Sequence, residues 1–283
     1  MEQKKDFSLI NCISTAMIAY FLTIPVHEGI HAITYLIYGN EVEWYSAGAV
    51  RSYNLIDIGS LSYFHRVMVG GGSASIINVI IGIILMFIVL KASLGPTVRL
   101  FLTQLMGSHM SCGIGYFMIG GMFGAGDWGN VFSYFTDDET FVIILRIVLA
   151  VLGSVGIVFL FFLLNHLSYY FIEDATNKKE KLSIAFKLHI IMLIIGFTIG
   201  MITTALSPSD ELNLGLGALY NMMWIPFFWG FMFTGVMNVL PPKESRFQYK
   251  LPSRLNVALL IIGLALILFD IIVLGPGLHF VSQ

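Results

Sequence analysis

Charge is what this chain has least of. Only 11% of its 283 residues are Asp, Glu, Lys or Arg, and the net charge is −2. No basic stripe interleaved with aromatics is left to offset phosphate charge, which excludes nucleic acid as a partner. Cysteine is scarce as well. Cys12 and Cys112 both lie in apolar stretches, so no disulfide framework is expected. Fixed-period repeats, low-complexity tracts and long disordered linkers are missing too. After the charged start at Met1 to Asp6, the apolar run continues without a small-residue cleavage site, which argues against a cleaved signal peptide.

What the chain has instead is apolar surface. Hydrophobic residues make up 57% of it and the mean hydropathy is +0.84, more than one soluble core can bury. Apolar stretches of bilayer length recur along the whole sequence, near 8–38, 67–90, 99–124, 140–171, 186–206, 213–240 and 255–280. They predict an all-α polytopic membrane protein of about seven transmembrane helices. We read 1–283 as a single, multi-pass domain of the cell membrane, with a core at 8–135 and additional transmembrane helices at 140–280. Between the first two spans, Glu41 to Leu61 is rich in aromatic, Val and small residues, which suits a small β-hairpin or, alternatively, an irregular surface loop. Lys and Arg divide twelve against two between alternate sides of a seven-span arrangement, which places the N-terminus in the cytoplasm.

Inside the first span stands His27-Glu28-Gly29-Ile30-His31. On a helix, residues four apart share a face, so the two imidazoles can reach one tetrahedral metal ion. Glu28 sits beside them as a general base for a water that the metal acidifies. With seven histidines in 283 residues, composition yields about 0.005 such runs by chance. Ionisable residues in a span are costly, and here they cluster, which calls for a function. A buried hydrogen-bonded cluster or a proton pathway is the alternative.

A catalytic zinc site keeps three protein ligands and an open position. If seven spans hold, the first and third end on the same side, where Gly124-Ala125-Gly126-Asp127 offers Asp127 as the third ligand, its glycines allowing close backbone approach. His65, His279 and Asp57 remain alternatives. His109 precedes Asp127 by 18 residues, about 27 Å along a straight helix, and is expected near the opposite face. His166 and His189 are expected at the interface. Pro25 is expected to kink the helix before His27, or simply to be tolerated there. Arg146 and Asp270, both inside apolar spans, are expected to face the protein interior and to pair.

Taken in order, these landmarks resemble the site-2 protease family of intramembrane zinc metalloproteases. The resemblance covers about residues 20–135. It rests on His27 to His31, then the hairpin region Glu41 to Leu61, then Gly70-Gly71-Gly72-Ser73-Ala74-Ser75-Ile76-Ile77-Asn78, then Asp127. Ala74-Ser75 stands where the family has Gly-Pro, and Trp128 follows Asp127 where the family has Gly. The resemblance implies Zn2+ as cofactor, His27, His31 and Asp127 as ligands, Glu28 as the catalytic residue and Asn78 in substrate binding. It also implies a transmembrane or membrane-anchored protein as substrate, cut at a locally unwound helix that a hairpin edge holds by strand addition. Two other readings remain: a zinc hydrolase of a lipid or lipid-linked amide, and a non-enzymatic ion-binding or transport protein.

Overall fold

A computed structural model describes residues 6–53, 58–174, 176–207, 222–237 and 249–280. The chain opens with α1 (Ser8–Phe21) and α2 (Ile24–Ile37), separated by a break at Leu22-Thr23. Strands β1 (Glu41–Tyr45) and β2 (Val50–Tyr53) form the expected hairpin, paired antiparallel with an irregularity between Val42 and Trp44. Helix α3 (Tyr63–Val67) runs through a π-helical turn at Met68–Gly72 into α4 (Ser73–Lys91). Next come the 28-residue α5 (Pro96–Phe123), the short α6 (Asp127–Ser133) and α7 (Glu139–Ser168). The rest is α8 (Lys178–Ala185), α9 (Ile191–Leu206), α10 (Ile225–Phe231), α11 (Val257–Phe269) and β3 (Leu278–His279).

Among the described residues, five helical stretches are long and apolar enough to cross a membrane: Ser8–Ile37, Tyr63–Lys91, Glu139–Phe171, Lys178–Leu206 and Val257–Leu274. They fit a multi-pass membrane protein. Helices also stand at the expected third and sixth spans, but α5 is interrupted by small and polar residues, and the apolar helix Met222–Val236 is short. Most of the remaining expected sixth span lies outside the described residues.

Helix α5 is the post around which the others pack, chiefly α4 on one side and α7 on the other. Its middle is buried almost throughout, including Ser108, His109, Ser111 and Cys112. This is why it is less apolar than its neighbours, which turn Ile83, Ile84, Ile147, Val151 and Val155 outward toward lipid. Contacts between apolar helices in lipid depend on close packing, and small residues supply it here. A Cβ on Gly113 would lie 2.5 Å from the Ser75 carbonyl oxygen, and one on Gly121 would lie 2.3 Å from the Ala150 nitrogen. Asn11 fastens α1 to the chain ahead of α11, its amide donating to the carbonyls of Pro252 (2.6 Å) and Arg254 (2.8 Å).

The C-terminal strand closes the sheet in the order β2-β1-β3, with Trp44 opposite His279 and Tyr45 opposite Leu278. This strand is not evident in the sequence, where Leu278-His279 is too short to carry an alternating pattern.

The expected pairing of Arg146 with Asp270 is not what the structure shows. Arg146 donates to the carbonyls of Gly121 (3.4 Å) and Met122 (3.2 Å) at the end of α5. A helix leaves its last carbonyls without intrahelical donors, so a guanidinium within a span can be satisfied there without a carboxylate. Asp270 is fully buried, and among the described residues neither carboxylate oxygen has a hydrogen-bond partner. A buried, unpartnered carboxylate opposes folding. Asp270→Leu is therefore expected to raise the melting temperature in detergent, whereas Arg146→Leu lowers stability by about 1 kcal/mol. Exchanging the two charges should rescue nothing, and thermal melts of the three variants check this.

Candidate metal centre

The break before α2 sets up the site. Thr23 turns its hydroxyl back onto the Ala19 carbonyl (2.8 Å) and against Ser108 of α5, closing the end of α1. Pro25 falls in the first turn of α2, where its missing N–H goes unneeded, so the bend it was expected to cause sits at Leu22-Thr23. Helix α2 then presents His27 and His31 on one face, both buried.

Asp127 arrives from the other direction. Gly124 ends α5 in the left-handed region (φ 64°), and Gly126 (φ 67°) turns the chain so that Asp127 opens α6. These two turns bring the Asp127 carboxylate up to the two imidazoles of α2. A second glycine device was not read from the sequence. Gly71, in the π-helical turn, has φ 127°, and a Cβ there would lie 2.9 Å from both the Cβ and the carbonyl oxygen of Asp127. The triple glycine therefore makes room for the α6 backbone. Ser75, one turn further, donates its hydroxyl to Asp127 Oδ2 at 3.3 Å.

Three ligand atoms meet as a nearly equilateral triangle. His27 Nε2 is 3.3 Å from His31 Nε2, and Asp127 Oδ2 is 3.1 Å from the first and 3.3 Å from the second. A tetrahedral zinc with bonds of roughly 2.0–2.2 Å holds its donor atoms about 3.3 Å apart, so all three edges match. The chemistry of the set also fits: two borderline nitrogen donors and one carboxylate leave a fourth position open. Among the described residues this is the one group of His, Cys, Asp and Glu so assembled. The His27 ring stacks on Tyr116 at 4.7 Å between centroids and 14° between planes, which restrains its tilt.

Glu28 is 5% exposed and turns toward a cavity of about 30 Å³, lined also by Tyr20, Tyr116, Thr203, Thr204 and Trp224. That is room for about one water beside polar groups that can hold it. Thr203, Thr204 and Trp224 belong to the C-terminal half, so the helices beyond residue 140 complete the wall opposite Glu28.

The remaining expected residues divide. His65 lies on the exposed face of α3, its ring 5.4 Å from that of Tyr38, and His279 is exposed on β3, so neither joins the triangle. Asp57 lies outside the described residues. Asn78, expected to bind substrate, has no exposed surface, and its amide meets His27 Nδ1 (2.7 Å), the Ala74 carbonyl (3.0 Å) and His109 Nδ1 (2.6 Å). His109 is therefore not at the opposite face. It stands at the midpoint of α5 and is joined to His27 through the Asn78 side chain, while Cys112 and Tyr116 further along α5 touch the His27 ring itself. His189 is likewise buried and not interfacial, bonded to Ser168 Oγ at 2.7 Å.

Comparison with family models, with curated proteins and with solved structures finds no match to this chain.

The Gly71 geometry gives a sharp expectation. A side chain there meets both an unfavourable φ and the Asp127 backbone, so Gly71→Ala is expected to displace Asp127 and reduce zinc content well below that of the wild type. Gly95→Ala, where a Cβ meets nothing within 4 Å, serves as control and should retain it. Zinc per chain in parallel preparations is the measurement.

Proposed function

We propose that the chain is a zinc-dependent intramembrane protease that hydrolyses a peptide bond of a membrane-associated protein. The observation that carries this reading is the triangle of His27, His31 and Asp127, with edges of 3.1 to 3.3 Å, built beside Glu28 inside a lipid-facing bundle. A divalent zinc held there would supply Lewis acidity and a water acidified toward neutrality. Glu28 would take a proton from the attacking water and return it to the departing amine, the two halves of general acid–base catalysis. Burial of Glu28 with only a small cavity at its side keeps bulk water out and strengthens its interactions with the developing charge.

In this reading α5 and the Met222–Val236 helix also cross the bilayer, which gives seven spans and a cytoplasmic N-terminus. The substrate segment would be extended, because a scissile carbonyl within a helix is shielded by its own hydrogen bonds. In the sheet order β2-β1-β3, one side of β1 is occupied by β3, so an added strand would pair along the outer edge of β2. The order of motifs that resembles the site-2 protease family supports the same assignment. Those proteases and this site share the need to deliver a carboxylate ligand from a distant segment onto an HExxH helix.

Zinc analysis of detergent-purified protein tests the reading. Wild type is expected to hold about one zinc per chain, as one tetrahedral site does. His31→Ala and Asp127→Ala should lose it, and His65→Ala should retain it. Glu28→Gln should keep the metal but lose cleavage of membrane proteins by two to four orders of magnitude, read as accumulation of uncut substrate in membranes. A wild type without zinc or another transition metal overturns the proposal.

A further inference from the structure

A histidine that ligates a metal through Nε2 must carry its proton on Nδ1, and something must accept that proton if the ring is to be held in the ligating tautomer. For His27 the candidates within reach are the Asn78 side-chain amide, 2.7 Å from Nδ1, and the Cys112 sulfur at 3.7 Å. The sulfur is a weak acceptor, so the amide decides. Three helices meet to build this arrangement: α2 brings His27, α4 brings Asn78, and α5 brings His109 and Cys112, all buried. The approach of α4 to α5 depends on Gly82, where a Cβ would lie 2.3 Å from Met110 Cγ, and on Gly113.

We propose that Asn78 is a positioning residue that selects the ligating tautomer of His27, with His109 holding the amide from behind. The inference rests on the metal-centre reading above and gives this buried asparagine a role other than substrate contact. The amide has two chemically different ends and both are engaged. As placed, Nδ2 faces His27 Nδ1 and the Ala74 carbonyl, while Oδ1 faces His109 Nδ1 at 2.6 Å. That orientation puts the His27 proton on Nε2, directed at Asp127. A half-turn of the amide presents Oδ1 to His27 Nδ1–H and frees the Nε2 lone pair; it gives up the donation to the Ala74 carbonyl, and Nδ2 then donates to His109 Nδ1. His109 donates from Nδ1 in the first arrangement and accepts there in the second. A neutral imidazole does both by moving its one proton between its nitrogens, whereas Lys and Arg only donate and a carboxylate only accepts. Each ring keeps one proton throughout, so the exchange changes no net charge in the bundle.

The test is zinc affinity by competition with a chelator, together with the visible spectrum of the cobalt-substituted protein. Melting of each chelator-treated variant separates metal affinity from fold. Asn78→Leu keeps the volume but offers no acceptor, and zinc is expected to bind about 10- to 100-fold more weakly, with an altered cobalt spectrum. Asn78→Asp keeps an acceptor at the same place and should rescue affinity to within about threefold of wild type. His109→Phe should weaken zinc severalfold while the metal-free protein still melts as a folded chain, which carries the test if Asn78→Leu does not accumulate. The proposal is overturned if Asn78→Leu binds zinc as wild type does, if Asn78→Asp is as weak as Asn78→Leu, or if His109→Phe has no effect. A wild type that takes up no metal brings down the metal-centre reading as well, whereas a zinc-loaded wild type with unaffected variants brings down this inference alone.

Discussion

Placing two imidazoles and a carboxylate within 3.3 Å of one another inside an apolar bundle is the constraint on which the rest of this structure depends. Lipid offers no counter-ions and no hydrogen bonds, so a polar atom brought to that depth costs free energy unless protein meets it. Asp127 Oδ2 lies 3.1 Å from His27 Nε2 and 3.3 Å from His31 Nε2, and it also accepts from the Ser75 hydroxyl. His27 is met on its far side by Asn78, and Asn78 by His109 and Ala74. The polar chain thus runs from α6 through α2 and α4 to α5, and the helices must approach closely enough to keep it unbroken. That requirement explains the placing of the glycines. Gly71 admits the Asp127 backbone and Gly113 admits the Ser75 carbonyl, so the two contacts that locate Asp127 and the serine beside it both depend on a missing side chain.

Features of the site that depend on local spacing were legible in the sequence. His27 and His31 share a face because of a fixed helical period, and Asp127 follows from its position after a glycine-rich helix end. Composition left a hairpin and an irregular loop as alternatives there, and the pairing of β1 with β2 decides for the hairpin. Features that depend on lateral packing were not legible. The 18 residues from His109 to Asp127 measure distance along an axis, and they say nothing of how α6 folds back or which face of α5 turns toward α2. Asn78 reads as a polar residue in a glycine-rich stretch, and only the crossing of α4 with α2 shows that its amide meets an imidazole. The Arg146–Asp270 expectation failed for a related reason. Charge in a span needs a partner, but the partner for a guanidinium can be the carbonyls at a helix end, and a sequence does not show which end comes near.

The division of labour along the chain is less sharp than a catalytic core followed by accessory helices. Ser111 of α5 donates its hydroxyl to the Met223 carbonyl, and Thr203, Thr204 and Trp224 stand across the cavity from Glu28. The C-terminal segment also reaches back to the hairpin. The Ala47 N–H donates to the Leu274 carbonyl at 3.1 Å, and the Phe280 N–H donates to the Glu43 carbonyl at 2.9 Å. The hairpin in turn touches α2 through Tyr45, whose hydroxyl donates to the Pro25 carbonyl. The last span, the sheet and the HExxH helix are therefore linked by hydrogen bonds, and the position of α2 depends on the far end of the chain.

This linkage bears on how a membrane protease would admit an extended segment. A strand added at β2 would be transmitted through β1 to Tyr45 and so to the first turn of α2, two residues before His27. Between Tyr45 and the triangle there is little to absorb a displacement, since the Tyr45 hydroxyl lies 4.0 Å from the Cβ position of Gly29 and His27 is clamped by Tyr116 and Asn78. Closely packed interiors move between discrete arrangements and do not deform continuously. Under the proposed reading the hairpin and α2 would move together, and the freedom needed to seat a substrate would lie in the other wall, which carries Thr203, Thr204 and Trp224. That wall meets α2 across the small cavity beside Glu28, where no side-chain hydrogen bond ties Glu28 to it among the described residues.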